Sequence, residues 1–258
     1  MRRIVIIGTA LAALGLAVSA YAATNNTYTA TDSFSPNKAG SVKSPSPIGF
    51  KLNLTATGTG GNRTAPLTNI TNTFYGLTSN GKDFPTCSYN TIKNKKNDTS
   101  CPKGALVASG GLTAVLGPAS NLSATAPGLV NCVRGLHVWN AGQGKLVYFF
   151  VGTANTCNGL VTGSVGPFQA TLKVKSNTLT LDVPIPNAVS FPFGPNILAG
   201  SLETEHLSFI KQTVKVKGKS VPYFASVGCK GGKRAFSTSF TAGGQTGSVV
   251  GTPAMCTT

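Results

Sequence analysis

Short runs of alternating apolar and polar residues, broken every few positions by Gly, Pro, Asn or Ser, are what most constrain the fold of this chain. Ile48, Phe50, Leu52 and Leu54 share one face of an extended segment, and Gly49, Lys51, Asn53 and Thr55 share the other. A period of two marks a half-buried strand, because successive side chains leave opposite faces of an extended backbone. Thr171 to Val174 and Thr178 to Val183 bracket Lys175-Ser176-Asn177, which predicts a hairpin with Leu172, Val174, Leu179, Leu181 and Val183 inward. Leu207 to Val216 and Ser220 to Val227 bracket Lys217-Gly218-Lys219 and predict a second hairpin. Leu146 to Val151 is almost unbroken apolar sequence, the pattern of a central strand covered on both faces. The expected fold is all-β, an antiparallel β-sandwich of Ig-like or jelly-roll-like kind.

The N-terminus carries a different signal. Arg2 and Arg3 precede an uncharged apolar run from Ile4 to Val18, and Ala20-Tyr21-Ala22 supplies a small-x-small cleavage pattern. The run is too short and wrongly flanked for a membrane span, so residues 1–22 read as a secretory signal peptide cleaved after Ala22. No later segment is apolar enough to span a membrane as a helix. Residues 23–32 are expected to be a flexible lead-in to a single sandwich domain over 33–258. Pro184 to Pro195 packs four prolines among two phenylalanines and cannot be an ordinary central strand. It is either a crossover between sheets or the meeting point of two β halves.

Export makes the cysteines meaningful. Cys87, Cys101, Cys132, Cys157, Cys229 and Cys256 form an even set, which in an oxidising compartment points to disulfides. Their order suggests the local pairs Cys87–Cys101, Cys132–Cys157 and Cys229–Cys256, each worth roughly 3 kcal/mol by loop-closure entropy. No Cys-x-x-Cys occurs, so neither a thioredoxin-like site nor a zinc knuckle is indicated.

The charge is strongly one-sided. The chain has 22 Lys and Arg against 6 Asp and Glu, and losing Arg2 and Arg3 takes the formal charge from +16 to +14. Arg63, Arg134 and Arg234 are the only arginines that remain, so lysine carries the field. Such a field favours anionic surface polymers or glycans, whereas planar readout of bases prefers arginine. Sequence-specific nucleic acid is therefore not an expected partner, and single strands would need stacking aromatics that the basic stretches lack. Lys215, Lys217 and Lys219 alternate and would form a ridge of ammonium groups about 7 Å apart on one strand. Lys230, Lys233 and Arg234 add a basic turn just beyond. Lysines at these places also serve to keep strand edges from pairing.

Catalytic signatures are sparse. There is no Gly-x-Ser-x-Gly elbow, Walker loop, dinucleotide fingerprint or His-Glu-x-x-His, and neither cofactor nor metal is implied. His137 and His206 are too few for a histidine-rich metal site. Glu203, Glu205 and His206 form the densest ionisable cluster. On a regular strand the two glutamates would share a face roughly 7 Å apart, within the spacing used by inverting glycosidases. The plainer reading is a polar face balancing Lys211, Lys215 and Lys217. Trp139 with Tyr148 or Tyr223 could stack sugars; beside Cys132, a lone tryptophan more commonly plugs a core.

Four blocks carry a resemblance: Ser35 to Gly40, Asn80 to Cys87, Cys101 to Gly104, and Tyr223 to Arg234. In this order they resemble a family of exported β-rich proteins of high-GC Gram-positive bacteria, over nearly the whole mature chain. The resemblance implies export and a β fold. That family carries no known activity, so no site residue is transferred. The sequence thus predicts an exported, non-enzymatic cell-envelope or extracellular protein that binds anionic surface polymers through lysines, with carbohydrate binding or glycan hydrolysis as the alternative. Peptide mapping of the unreduced protein should recover the three local cystine pairs, and one crossed pair would refute the pairing.

Overall fold

Ile48, Phe50, Leu52 and Leu54 all turn inward, as their alternation predicts. The computed structural model describes residues 26–153 and 156–257, so the proposed signal peptide lies outside the described residues. Eleven strands build one sheet: β1 (Asn26–Ser35), β2 (Gly49–Gly58), β3 (Leu67–Tyr75), β4 (Leu106–Pro118), β5 (Val130–Asn140), β6 (Lys145–Val151), β7 (Val165–Lys175), β8 (Thr178–Pro184), β9 (Leu198–Phe209), β10 (Phe236–Ala242) and β11 (Gln245–Val250). Their order is β1-β2-β9-β4-β5-β6-β7-β8-β3-β10-β11, antiparallel throughout.

The sheet curls until its ends meet. Tyr28 of β1 stacks on Phe240 of β10 at a centroid distance of 4.2 Å, and Phe34 and Phe50 reach across to Phe74 of β3 at 6.4 and 5.0 Å. One continuous core joins these walls. The expected antiparallel sandwich is thus present, its two layers being opposite walls of one barrel-like sheet. Burial of each large apolar side chain is worth roughly 1.5–3 kcal/mol.

Local geometry explains most of the pairing. The β7–β8 hairpin turns through Ser176 and Asn177, both at positive φ, the primed geometry that matches strand twist. Leu172, Leu179, Leu181 and Val183 are buried as expected, but Val174 is 45% exposed. The reason is that β6 reaches β7 only as far as Lys145, paired with Thr171, so Val174 has a strand on one side alone. Leu146 to Phe150 of β6 is buried between β5 and β7, as its apolar run requires.

Several expectations are corrected. Residues 23–32 are not a loose lead-in where described: Asn26–Ser35 pairs with β2 over its full length, from Asn26↔Gly58 to Ser35↔Gly49. Its inward positions, Tyr28, Ala30 and Phe34, are interrupted by Asp32, which masks the alternation. Residues 184–195 do not separate two halves. They form a crossover with a short helix (Asn187–Ser190), and strands from before and after it interleave, β9 lying between β2 and β4. The polar segment between Cys87 and Cys101 carries a short helix, α1 (Tyr89–Lys95), capped by Ser88, whose Oγ accepts the Thr91 N–H at 3.0 Å. Ile92 of α1 and the Cys87–Cys101 disulfide cover Trp139, Val147 and Phe149 on the outer face of β5 and β6. The second predicted hairpin is shorter than expected: β9 ends at Phe209, and Thr213–Val216 pairs with Lys219–Pro222. Cys132–Cys157 and Cys229–Cys256 are also bonded, which completes the three local pairs.

All three arginines of the described residues are buried, each holding loop carbonyls together. Arg63 donates to Ala199 O, Ser201 Oγ and Pro118 O at 2.7–2.9 Å. Arg134 donates to Gly163 O and Val161 O at 2.6 and 2.9 Å. Arg234 is fully buried and donates to Tyr75 O, Gly76 O and Ser226 Oγ at 2.7–3.0 Å, its guanidinium lying 5.0 Å above the Phe34 ring centre. Burial pulls its pKa down to about 10, opposed by the nearby Asp32 carboxyl, so the group stays charged. Gly76 permits this convergence: its φ is +71°, and a Cβ there would overlap Gly228 O. Lysine cannot span these acceptors. Arg234→Lys should therefore lower unfolding stability by about 2–4 kcal/mol in urea denaturation; a loss below about 1 kcal/mol would show that the guanidinium is not what holds these loops.

Candidate functional site

Two places could carry function, the outer surface and one end of the barrel. Every lysine of the described residues is exposed, and every arginine is buried. Among the described residues the single ion pair joins His137 Nδ1 to Asp98 Oδ2 at 2.6 Å, so no lysine has a carboxylate within 4.0 Å. The acids are occupied elsewhere. Asp98 also accepts from Trp139 Nε1 at 3.0 Å, Asp182 accepts from Asn69 and Thr71, and Asp83 accepts from Asn80. Asp32 points into the interior, where burial pushes its pKa up to about 6 against the pull of Arg234. Among the described residues Glu203 is the one exposed acidic side chain, the others being partly buried.

The lysine ridge takes another form than the alternation implies. Lys217 and Gly218 make the turn of the 213–216/219–222 ribbon at positive φ, so the three lysines are not on one strand. Lys215 is paired with Ser220 and Lys219 with Val216, which places Lys215 and Lys219 on opposite faces of the ribbon. Lys230 and Lys233 face one another across a tight turn through Gly231 and Gly232, beside the Cys229–Cys256 disulfide. Arg234, expected as a surface contact, is withdrawn into the interior because loop carbonyls claim its guanidinium. A further basic area lies in the Cys87–Cys101 disulfide region. Lys93, Lys95 and Lys96 lie on or just after α1, which packs against β7 with its exposed Lys173 and Lys175.

The residues that would stack sugars are interior. Trp139 is buried against the Cys87–Cys101 region, as its core reading predicts. Tyr148 is buried, with its pKa raised by desolvation, and Tyr223 is buried with its hydroxyl on Asn140 Oδ1 at 3.0 Å.

The glutamate pair is broken by a β-bulge. Pairing of β9 with β4 slips between Leu202 and Thr204, leaving Glu203 as the extra residue. Glu203 is exposed, whereas Glu205 lines an interior cavity; they do not face a common cleft. His206 is exposed on the outer face.

That cavity measures about 110 Å³ and opens at the barrel end under the 185–192 crossover and the 157–161 loop. Leu67, Ile70, Leu112, Leu116, Phe150 and Leu202 are among the apolar residues of its wall. Arg134 and the Cys132–Cys157 disulfide tether the loop on one side, and Ser190 Oγ donates to Leu67 O at 2.7 Å on the other. Glu205 sits level with Leu112 and lines the cavity, half-buried and without a hydrogen bond to another described side chain. Burial pushes its pKa up to about 7 from the usual 4.5, because ionising in this wall forfeits hydration.

The folded state therefore holds a proton on Glu205 that the unfolded chain has lost between about pH 4.5 and 7. Its stabilising contribution is complete below 4.5 and is lost as pH rises through 7, by up to about 3 kcal/mol. Glu205→Gln should remove this loss. Relative to the parent, the variant should be 1–3 kcal/mol more stable at pH 8 than at pH 4.5, by about one proton's linkage in urea titrations; parallel pH profiles would place the carboxyl in water.

No family model, no curated protein and no solved structure matches this chain.

Proposed function

We propose that this is an exported, non-enzymatic cell-envelope or extracellular protein that adheres to anionic surface polymers through its lysines. In this reading residues 1–22 are a signal peptide cleaved after Ala22, and the chain belongs with the exported proteins it resembles. The observation that carries the proposal is the complete separation of the two cation types. The arginines are spent inside on carbonyls, while the lysines stand outside without carboxylate partners. An ammonium free of an internal partner is available to an external one, and a surface whose described residues carry a single exposed acidic side chain offers little repulsion to a polyanion. Lysine is a mobile, strongly hydrated point charge, which suits irregular phosphate- or carboxylate-bearing polymers better than one exact ligand. Three disulfides fit an oxidising compartment.

Sedimentation of the oxidised protein with purified cell-wall sacculi tests the proposal. Binding should fall at least tenfold between about 50 and 200 mM salt, because each neutralised anion releases a counterion. Stripping the anionic polymers should abolish it. Lys215→Glu with Lys217→Glu, or Lys93→Glu with Lys95→Glu, should each weaken binding several-fold. Binding that ignores salt, or no binding at all, would overturn the adhesion reading.

A further inference from the structure

The barrel-end cavity is independent of the lysine surface and has its own chemistry. Its wall is mostly apolar, its volume is about 110 Å³, and its polar side chains are Arg134 and Ser190, both already bonded to loop or strand carbonyls, and Glu205, which bonds to no other described side chain. Cavities of comparable size lined by Leu, Ile and Phe stay dry and accept apolar molecules. A carboxyl set in such a wall without a protein partner is completed by water or by a ligand that enters the cavity.

The depth of each residue sets an orientation. Along β9, Gly200 and Leu202 come before Glu205; along β4, Leu116 stands at the same end and Leu112 is paired with Glu205. Along β5, Cys132, tied to the loop over the mouth, precedes Arg134, which is paired with Leu112. Glu205 therefore lies at the floor, and Leu67, Leu116, Leu202 and Val161 flank the way out. Beyond the mouth the apolar surface continues. Leu160 beside Val161, Phe193 beside Pro192, and Ile197 are exposed at 38, 41 and 60%. A polar floor, an apolar shaft and an apolar rim match a molecule with one polar end and a hydrocarbon tail.

We propose that this cavity binds a neutral aliphatic alcohol, hydroxyl end first, with the hydroxyl on the Glu205 carboxyl and the alkyl chain running out past Leu116 and Leu202 to the rim. A hydroxyl both donates and accepts, as does a protonated carboxyl, so the two satisfy one another without a buried charge. A fatty acid anion would bring a charge into an apolar wall whose one cation, Arg134, is already taken by Gly163 O and Val161 O, and an alkane would leave the carboxyl unpaired. The length held inside is about four carbons, in proportion to the roughly 150 Å³ cavity that holds benzene; longer chains would lie along Leu160, Phe193 and Ile197.

Titration of the oxidised protein with 1-octanol, followed by calorimetry and by methyl NMR of the cavity leucines, tests this. Saturable binding is expected, with octanoate at neutral pH at least tenfold weaker. Val161→Trp, on the loop over the mouth, should abolish binding without touching the sheet, and Ala114→Phe should do so by filling the shaft. Glu205→Leu should weaken octanol at least fivefold while leaving 1-chlorohexane binding equal or tighter, which separates a polar contact from a general loss of structure. Absence of saturable binding, or binding that survives Val161→Trp, would overturn the site. Octanol affinity unchanged in Glu205→Leu would overturn the placement of the hydroxyl.

Discussion

A sheet that curls on itself pairs every strand except along the outer edges of β1 and β11 but leaves carbonyls of its connecting loops without ladder partners, and in this protein three buried guanidiniums serve them. Arg63 joins the segment after β2 to the ends of β4 and β9. Arg134 joins β5 to the loop before β7, and Arg234 joins the chain beyond β3 to the 224–234 segment. Each brings together residues far apart in sequence, which no local turn could do. Burying a cation is expensive, and here the cost is offset by several charge-assisted hydrogen bonds per group in a fixed planar fork. The disulfides act beside these anchors: Cys132–Cys157 closes the loop that Arg134 holds, and Cys229–Cys256 closes the one beside Arg234.

This use of arginine shapes the exterior as well. With the guanidiniums withdrawn and three of the six acidic side chains accepting bonds from neighbouring side chains, the described surface is left with lysines that have no carboxylate partner. The same barrel keeps an apolar shaft at one end. The two features are physically separate, one governed by screened long-range charge and the other by desolvation. A single extra residue in β9 divides them: the bulge sends Glu203 to the solvent and Glu205 to the interior, although strict alternation would put them side by side.

Some of this was legible beforehand. The alternation at Ile48–Leu54, the turn at Ser176-Asn177 and the apolar run in β6 give strands whose local patterns agree with their burial. Cysteines spaced for local pairs were bonded as their order suggested. Elsewhere local pattern misled. Asp32 interrupts β1, so a paired strand looked like a loose lead-in, and the Lys-Gly turn at 217–218 looked like part of a ridge. Arg234 looked like a surface cation because its neighbours Lys230 and Lys233 are. The scarcity of arginine among so many lysines was a usable sign that these three positions differ, since a guanidinium keeps its charge on burial.

By itself the sequence determined strand character, the apolar face of most strands and the local cystine pairs, because each depends on residues a few positions apart or on their simple order. Strand order, curling of the sheet, the carbonyls that each arginine meets and the side to which each glutamate turns were decided only by the tertiary structure. These depend on pairings between distant segments and on one slipped register, and neither leaves a trace in local periodicity.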